Sequence, residues 1–134
     1  MIQLRNLLIK HEGIKGKLYY DTEGVATIGI GRNLEDVGVS VDEAMLMLDN
    51  DIKRVLYACW HEFPWFADLN EDRQCVVASM VFNLGLEGFK KFKRMIKALE
   101  KDDYLEAACQ MVDSTWAAQV KGRAVELAVM MKGE

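Results

Sequence analysis

The sequence predicts a segregated α+β fold, with a small β-bearing lobe near residues 13–35 and a larger all-helical lobe over about 40–134 that also takes in helix 1–12. Three observations carry this. The stretch from Lys17 to Gly31 is the only one that is rich in β-branched and aromatic residues around a turn motif. From Ser40 onward apolar residues recur with a period near 3.6. A chain of 134 residues with one Pro, no Ser/Gly/Pro-rich linker and no internal repeat reads as a single domain, 1–134. Unequal lobes of this kind predict a ligand cleft between them.

Leu4, Leu7 and Leu8 recur at helical spacing, and Gly13, a residue suited to a left-handed cap, ends that first helix. Lys17-Leu18-Tyr19-Tyr20, then Asp21-Thr22-Glu23-Gly24, then Val25 to Gly31 read as strand, turn and strand. Ser40 and Glu43 have the S-x-x-E spacing of a capping box. Met45, Leu48, Ile52, Val55, Leu56 and Cys59 follow with helical period, giving a helix of about five turns. Pro64 breaks it, and Asn70 starts a new helix whose apolar face, Val77, Met80, Val81 and Leu84, runs to Gly85. Three further helices are marked by Phe89 to Leu99, by Tyr104 to Met111, and by Val125 to Lys132.

Composition narrows the function. The chain is 51% apolar and 28% charged, enough to build a core and too apolar for disorder. Seventeen basic against 21 acidic residues give a net charge of −4, which excludes a general attraction to nucleic acid. Arg5, Asn6 and Lys10 interrupt the N-terminal apolar run, so neither a signal peptide nor membrane insertion is expected. Cys59, Cys75 and Cys109 are odd in number and lack paired His ligands, so three buried thiols are expected, with no metal and no cofactor.

Chemistry concentrates in residues 12–31. Glu12 stands at the last turn of a helix, against the negative end of the helix dipole, and continues the Leu4–Leu8 stripe. It is therefore expected to lean into a dry region, where desolvation and the dipole both favour the protonated carboxyl that a general acid needs. Asp21 opens the turn, where its side chain can bond turn amides and stay ionised. Two carboxyl groups in contrasting surroundings suit glycoside hydrolysis. Glu23 is a rival acid whose mid-turn position favours solvent. Thr27 can offer a hydroxyl to a water held by Asp21. Gly24, Gly29 and Gly31 lack the Lys and helix start of a phosphate loop, and are expected to let substrate or the other lobe approach the strand backbone.

Glu12-Gly13, Tyr19 to Gly24 and Thr27 to Gly31 together resemble the signature of the phage-type lysozymes, the endolysins that cut bacterial peptidoglycan. Val81 to Gly85, Ser114-Thr115-Trp116 and Gly122-Arg123-Ala124 resemble later segments of the same family. The resemblance implies a lysozyme-like fold with the active site in the cleft. It implies hydrolysis of the β-1,4 bond between N-acetylmuramic acid and N-acetylglucosamine, with Glu12 as general acid, Asp21 activating the water and Thr27 helping to hold it. It places Gly31, Phe82, Asn83 and Arg123 among the substrate contacts. It further implies peptidoglycan as partner, no nucleic acid, a monomer, and a wait in the host cytoplasm until a holin opens the membrane. Inversion at the anomeric carbon would require carboxyl groups ~6.5–9.5 Å apart. The alternative is a non-catalytic lysozyme-like module that binds or inhibits.

Arg32 stands where the family often has His, so its charge is permanent. Asp51 shares the apolar face of the long helix with Leu48, Ile52 and Val55, and Arg32 is expected to pair with it. Trp60, Phe63, Trp65 and Phe66 are expected to form a packed corner rather than a sugar platform. Lys90, Arg94, Lys97 and Lys101 are expected to form a solvated helix face.

Overall fold

A computed structural model describes residues 1–133. The elements are α1 (Ile2–Glu12), β1 (Lys15–Tyr20), β2 (Ala26–Gly29), β3 (Arg32–Asn33), α2 (Val41–Glu62), a 3-10 turn at Phe66–Asp68, α3 (Glu71–Lys90), α4 (Lys93–Glu100), α5 (Tyr104–Val112), α6 (Thr115–Val120) and α7 (Gly122–Lys132). The fold is α+β, mostly helical with one small antiparallel sheet, as the sequence predicts. Two compact units divide the chain, Met1–Met47 and Leu48 onward, and the boundary falls inside α2. The first helix belongs with the sheet by this division, whereas the sequence grouped it with the helices.

In the first unit the sheet runs β1-β2-β3. Tyr19 lies opposite Thr27, which on its other side faces Asn33; Ile28 faces Arg32. At two residues β3 is too short to show an alternating pattern, and the sequence did not reveal it. Gly13 ends α1 at φ +71°, its N–H donating to the Ile9 carbonyl at 2.9 Å, as expected of a glycine cap. The stripe expected to pack does not. Leu4, Leu7 and Leu8 are 44%, 47% and 44% exposed, and no residue of α1 is buried. A leucine stripe needs opposing apolar surface, and Thr27 is the only buried residue between 1 and 47. So small a unit has no core of its own.

The capping box forms as predicted: Ser40 N–H donates to Glu43 Oε1 at 2.9 Å and Glu43 N–H to Ser40 Oγ at 3.1 Å. Arg32 does not take Asp51 as its partner. Its Nη1 and Nη2 donate to Glu43 Oε1 at 2.9 Å and Oε2 at 2.6 Å, and Nη1 also donates to the Gly38 carbonyl at 2.9 Å. Asp51 pairs with Arg54 at i,i+3 on its own helix. The capping box has already oriented Glu43 at the first turn of α2, so the fork closes there, and Asp51 finds a cation one turn away.

This fork has a pH signature. The Arg32 guanidinium, with the Ser40 amide and hydroxyl, holds the Glu43 carboxyl at about 2, below its ordinary 4.5. A carboxylate lowered in the folded state contributes stability above its ordinary value and loses it as pH falls through the folded value. That contribution should therefore fade between pH 4.5 and about 2, the window set by these two values. Acid titrations followed by circular dichroism should show it in the wild type and a flatter profile in Glu43→Gln.

Among the described residues, the second unit holds all of the buried apolar core. Phe66, Phe89, Met80, Met95, Leu99, Met111 and Met131 are its largest fully buried side chains. Helix α5 packs on α4 and α7, and α7 also packs on α3 and α6. The aromatic corner is packed as expected: Phe63 stacks on Trp65 at 4.8 Å and meets Phe89 edge-on at 5.5 Å, while Trp60, 51% exposed, touches Phe66 edge-on. Asn70 caps α3 by accepting the Arg73 N–H at 2.9 Å. Gly85, at φ +76° and ψ +163°, is not helical, so the first helical segment of α3 ends where the sequence predicts and Phe89 lies on a second segment beyond the kink. Helix α6 was not foreseen; at six residues it is too short to show a period.

Two of the three cysteines depart from expectation. Cys59 is buried, and burial pushes its thiol up to about 11. Cys75 and Cys109 are exposed, because Val76, Val77 and Met80 supply the buried face of α3 and Ala107, Ala108 and Met111 that of α5. Lys90 leaves the expected solvated stripe by binding Glu62 at 2.5 Å, whereas Arg94, Lys97 and Lys101 are exposed.

Arg73 ties the unit's end to its middle. Nε donates to the Met131 carbonyl at 2.7 Å and Nη2 to the Lys132 carbonyl at 3.0 Å, satisfying terminal carbonyls of α7. The guanidinium lies 3.7 Å from the centroid of the Tyr104 ring. Arg73→Met should lower stability by about 2 kcal/mol, read from urea unfolding, through loss of charge-assisted bonds and the ring contact.

Candidate active site

The turn after β1 is built around the backbone of one residue, Val25. Asp21 Oδ1 accepts the N–H of Glu23 at 2.8 Å and of Val25 at 2.9 Å, as expected of an Asp opening a turn. The Val25 carbonyl accepts the Asp21 N–H at 3.0 Å and the Thr27 hydroxyl at 2.8 Å. Val25 thus joins Asp21 and Thr27 through its N–H and its C=O. Among the described residues Asp21 Oδ2 has no hydrogen-bond partner, which leaves that oxygen to act as an acceptor. Thr27 is 4% exposed, and its hydroxyl proton is committed to Val25, so Oγ1 retains only its lone pairs. Asp21 and Glu23 are both exposed, but Asp21 alone is fixed by the turn amides.

Glu12 is exposed, so the dry surroundings expected for it are absent. What it meets instead is a glycine. Gly31, at φ +68°, lies so close that a Cβ added there would stand 2.9 Å from Glu12 Cδ and 3.0 Å from Oε2. Any side chain at Gly31 would both strain the backbone and displace the carboxyl group. Close approach to strand backbone was anticipated for these glycines, with substrate or the other lobe as the neighbour. At Gly31 the neighbour is the acid itself, while Gly24 and Gly29 have open space. No hydrogen bond among the described residues joins Glu12 to Asp21 or Thr27; the three share the first unit and are placed through the turns that flank β2.

The other expected contacts lie in the second unit. Phe82 is 51% exposed and Asn83 is exposed, both on α3 just before the break at Gly85. Asn83 Oδ1 accepts the Trp116 indole N–H at 2.9 Å, a link the sequence did not reveal because 33 positions separate the pair. That bond sets the amide orientation, leaving the Asn83 NH2 outward as a donor. Trp116 is buried and meets Phe92 edge-on at 6.0 Å. Phe82, Asn83 and the exposed Arg123 of α7 line a groove of about 710 Å³ together with Trp60, Ile52 and Cys75.

Residues 9–131 match the phage lysozyme family. The chain belongs to that family. The match includes Glu12, Asp21, Thr27, Gly31, Phe82, Asn83 and Arg123, every residue singled out above. Among curated relatives, the pre-baseplate central spike protein Gp5 of Enterobacteria phage T4 is 27% identical over 158 aligned positions, which cover 97% of this chain and 28% of that protein. Probable T4-type lysozyme 2 of Dictyostelium discoideum is 27% identical over 150 positions, covering 90% of this chain and 88% of that protein. Probable T4-type lysozyme 1 of the same organism has the same identity and coverage. The chain therefore spans a little over a quarter of the spike protein's length and most of the length of each lysozyme. Membership supports a glycoside hydrolase of the lysozyme kind.

Proposed function

We propose that the chain hydrolyses the β-1,4 bond between N-acetylmuramic acid and N-acetylglucosamine in bacterial peptidoglycan, by general acid/base catalysis with two carboxyl groups. Glu12 donates a proton to the glycosidic oxygen as the bond breaks. Asp21 Oδ2 accepts a proton from the attacking water. Thr27 Oγ1, having given its own proton to Val25, accepts the water's other hydrogen. A water that donates to both groups keeps a lone pair free for the anomeric carbon. Phe82, Asn83 and Arg123 contact the glycan and its substituents.

The observation that carries this reading is that Asp21 and Thr27 both bond to the backbone of Val25, which supports their acting on one water. Family membership and the resemblance to two probable lysozymes support it. The same proposal casts the chain as a monomeric endolysin that stays in the host cytoplasm until a holin opens the membrane. Expression with and without a co-expressed holin tests that part: lysis that does not depend on the holin contradicts it. The enzymatic part is tested by adding the purified chain to permeabilised Gram-negative cells and to isolated cell walls. Both suspensions should clear, whereas a binding or inhibitory module would leave their turbidity unchanged.

A further inference from the structure

Gly31 stands so close to Glu12 that an added Cβ would lie 2.9 Å from its carboxyl carbon, Asn33 pairs with Thr27, and between them stands Arg32, opposite Ile28 on β2. Two residues make up β3, tied to β2 by the Thr27–Asn33 and Ile28–Arg32 pairings and by the Leu34 N–H donating to the Ala26 carbonyl at 2.9 Å. What holds it from outside is the Arg32 guanidinium, which reaches the Gly38 carbonyl and both Glu43 oxygens. Glu43 cannot yield freely, because it is also locked to Ser40 at the start of α2. Its bonds run without interruption from the capped helix through Arg32 to the backbone on which Glu12 rests. The side chains of Arg32 and Glu43 are 34% and 42% exposed, so solvent screening keeps the stability this ion pair adds modest. Its geometry matters more: a planar fork with three bonds fixes the direction of β3 in a way that a single point charge cannot.

We propose that Arg32 is a positioning residue for the hydrolysis: its fork with Glu43 and Gly38 holds β3 so that the Gly31 backbone sets the Glu12 carboxyl while Asn33 sets Thr27. The proposal rests on the reading of Glu12 as the acid. Arg32 need not touch substrate, and its loss changes where the acid stands rather than how substrate binds. A misplacement of about 1 Å in such a group can cost on the order of a hundredfold in rate.

The test uses the full chain and four forms: wild type, Arg32→Lys, Glu43→Gln and, as a stability control, Arg73→Met. Arg32→Lys keeps the charge and removes the planar fork; Glu43→Gln keeps an acceptor for Ser40 and removes the ion pair. On soluble peptidoglycan fragments, Arg32→Lys should lower kcat by about tenfold to a hundredfold with KM within about twofold, and Glu43→Gln should follow it in direction. Arg73→Met should lose stability with kcat unchanged. Independently of turnover, NMR should show cross-relaxation between the Gly31 Hα and Glu12 Hγ protons in the wild type, and its loss in Arg32→Lys. A kcat for Arg32→Lys within twofold of wild type, or a Gly31–Glu12 signal that survives the substitution unchanged, overturns the proposal. Absence of hydrolysis by the wild type would overturn the reading of Glu12, and the NMR comparison would still decide whether Arg32 sets the Gly31–Glu12 contact.

Discussion

Glu12→Gln is expected to abolish hydrolysis while leaving the fold intact. Glutamine has nearly the shape of a protonated glutamate, so it can occupy the same place against the Gly31 backbone, where an extra carbon on the glycine could not be accommodated. What it lacks is a proton that can be released to the glycosidic oxygen, and loss of a general acid costs ~10²–10⁴ in rate. The folded state should not suffer, because α1 buries none of its residues and an acidic side chain in its last turn opposes the helix dipole. Clearing of isolated cell walls should fall at least about a hundredfold, with the thermal midpoint equal to wild type or slightly higher. Retention of more than about a tenth of the wild-type rate would mean that Glu12 is not the acid.

The second large effect is expected at Asp21. Asparagine keeps Oδ1, and with it the bonds from the Glu23 and Val25 amides, so the turn and the link to Thr27 should survive. Oδ2 becomes an NH2 group, which donates and cannot take a proton from water. Asp21→Asn should therefore lose on the order of a hundredfold or more in rate with an unchanged melting midpoint. Glu23, exposed and contributing only its backbone N–H to the turn, should tolerate Gln with an activity close to wild type. Parallel rate measurements on the two variants check the assignment: a severe Glu23→Gln beside a mild Asp21→Asn would transfer the role of base to Glu23.

Features governed by neighbours along the chain were readable from the residues alone. Ser40 and Glu43 form their capping box because both partners lie within one helical turn, and Asp21 binds the turn amides for the same reason. The helical period placed Met80, Leu99 and Met111 in the core. Features that depend on what lies across space are not legible in the residues alone. The stripe Leu4–Leu8 looked like a packing face, and from it followed the dry site for Glu12; periodicity reveals a face and not its partner. Charge and helical face make Asp51 a partner for Arg32, whereas the capping box aims Glu43 at it. The habits of their residue type put Cys75 and Cys109 inside, although their helices turn other faces to the core. The Gly31 contact was half visible: a glycine permitting close approach was foreseen, but not that the acid itself would approach.

If Glu12 and Asp21 cleave the glycan by adding water at N-acetylmuramic acid, each cut leaves a reducing end on that sugar. The chemistry of the ends released from purified peptidoglycan tests this cleavage most directly, with fragments separated by chromatography and identified by mass spectrometry for wild type and Glu12→Gln. Soluble fragments that carry a hydrated reducing N-acetylmuramic acid are expected from the wild type, and none from the variant. Reducing N-acetylglucosamine ends, 1,6-anhydro ends or freed peptide amino groups from the wild type, or the same fragments from Glu12→Gln, would contradict it.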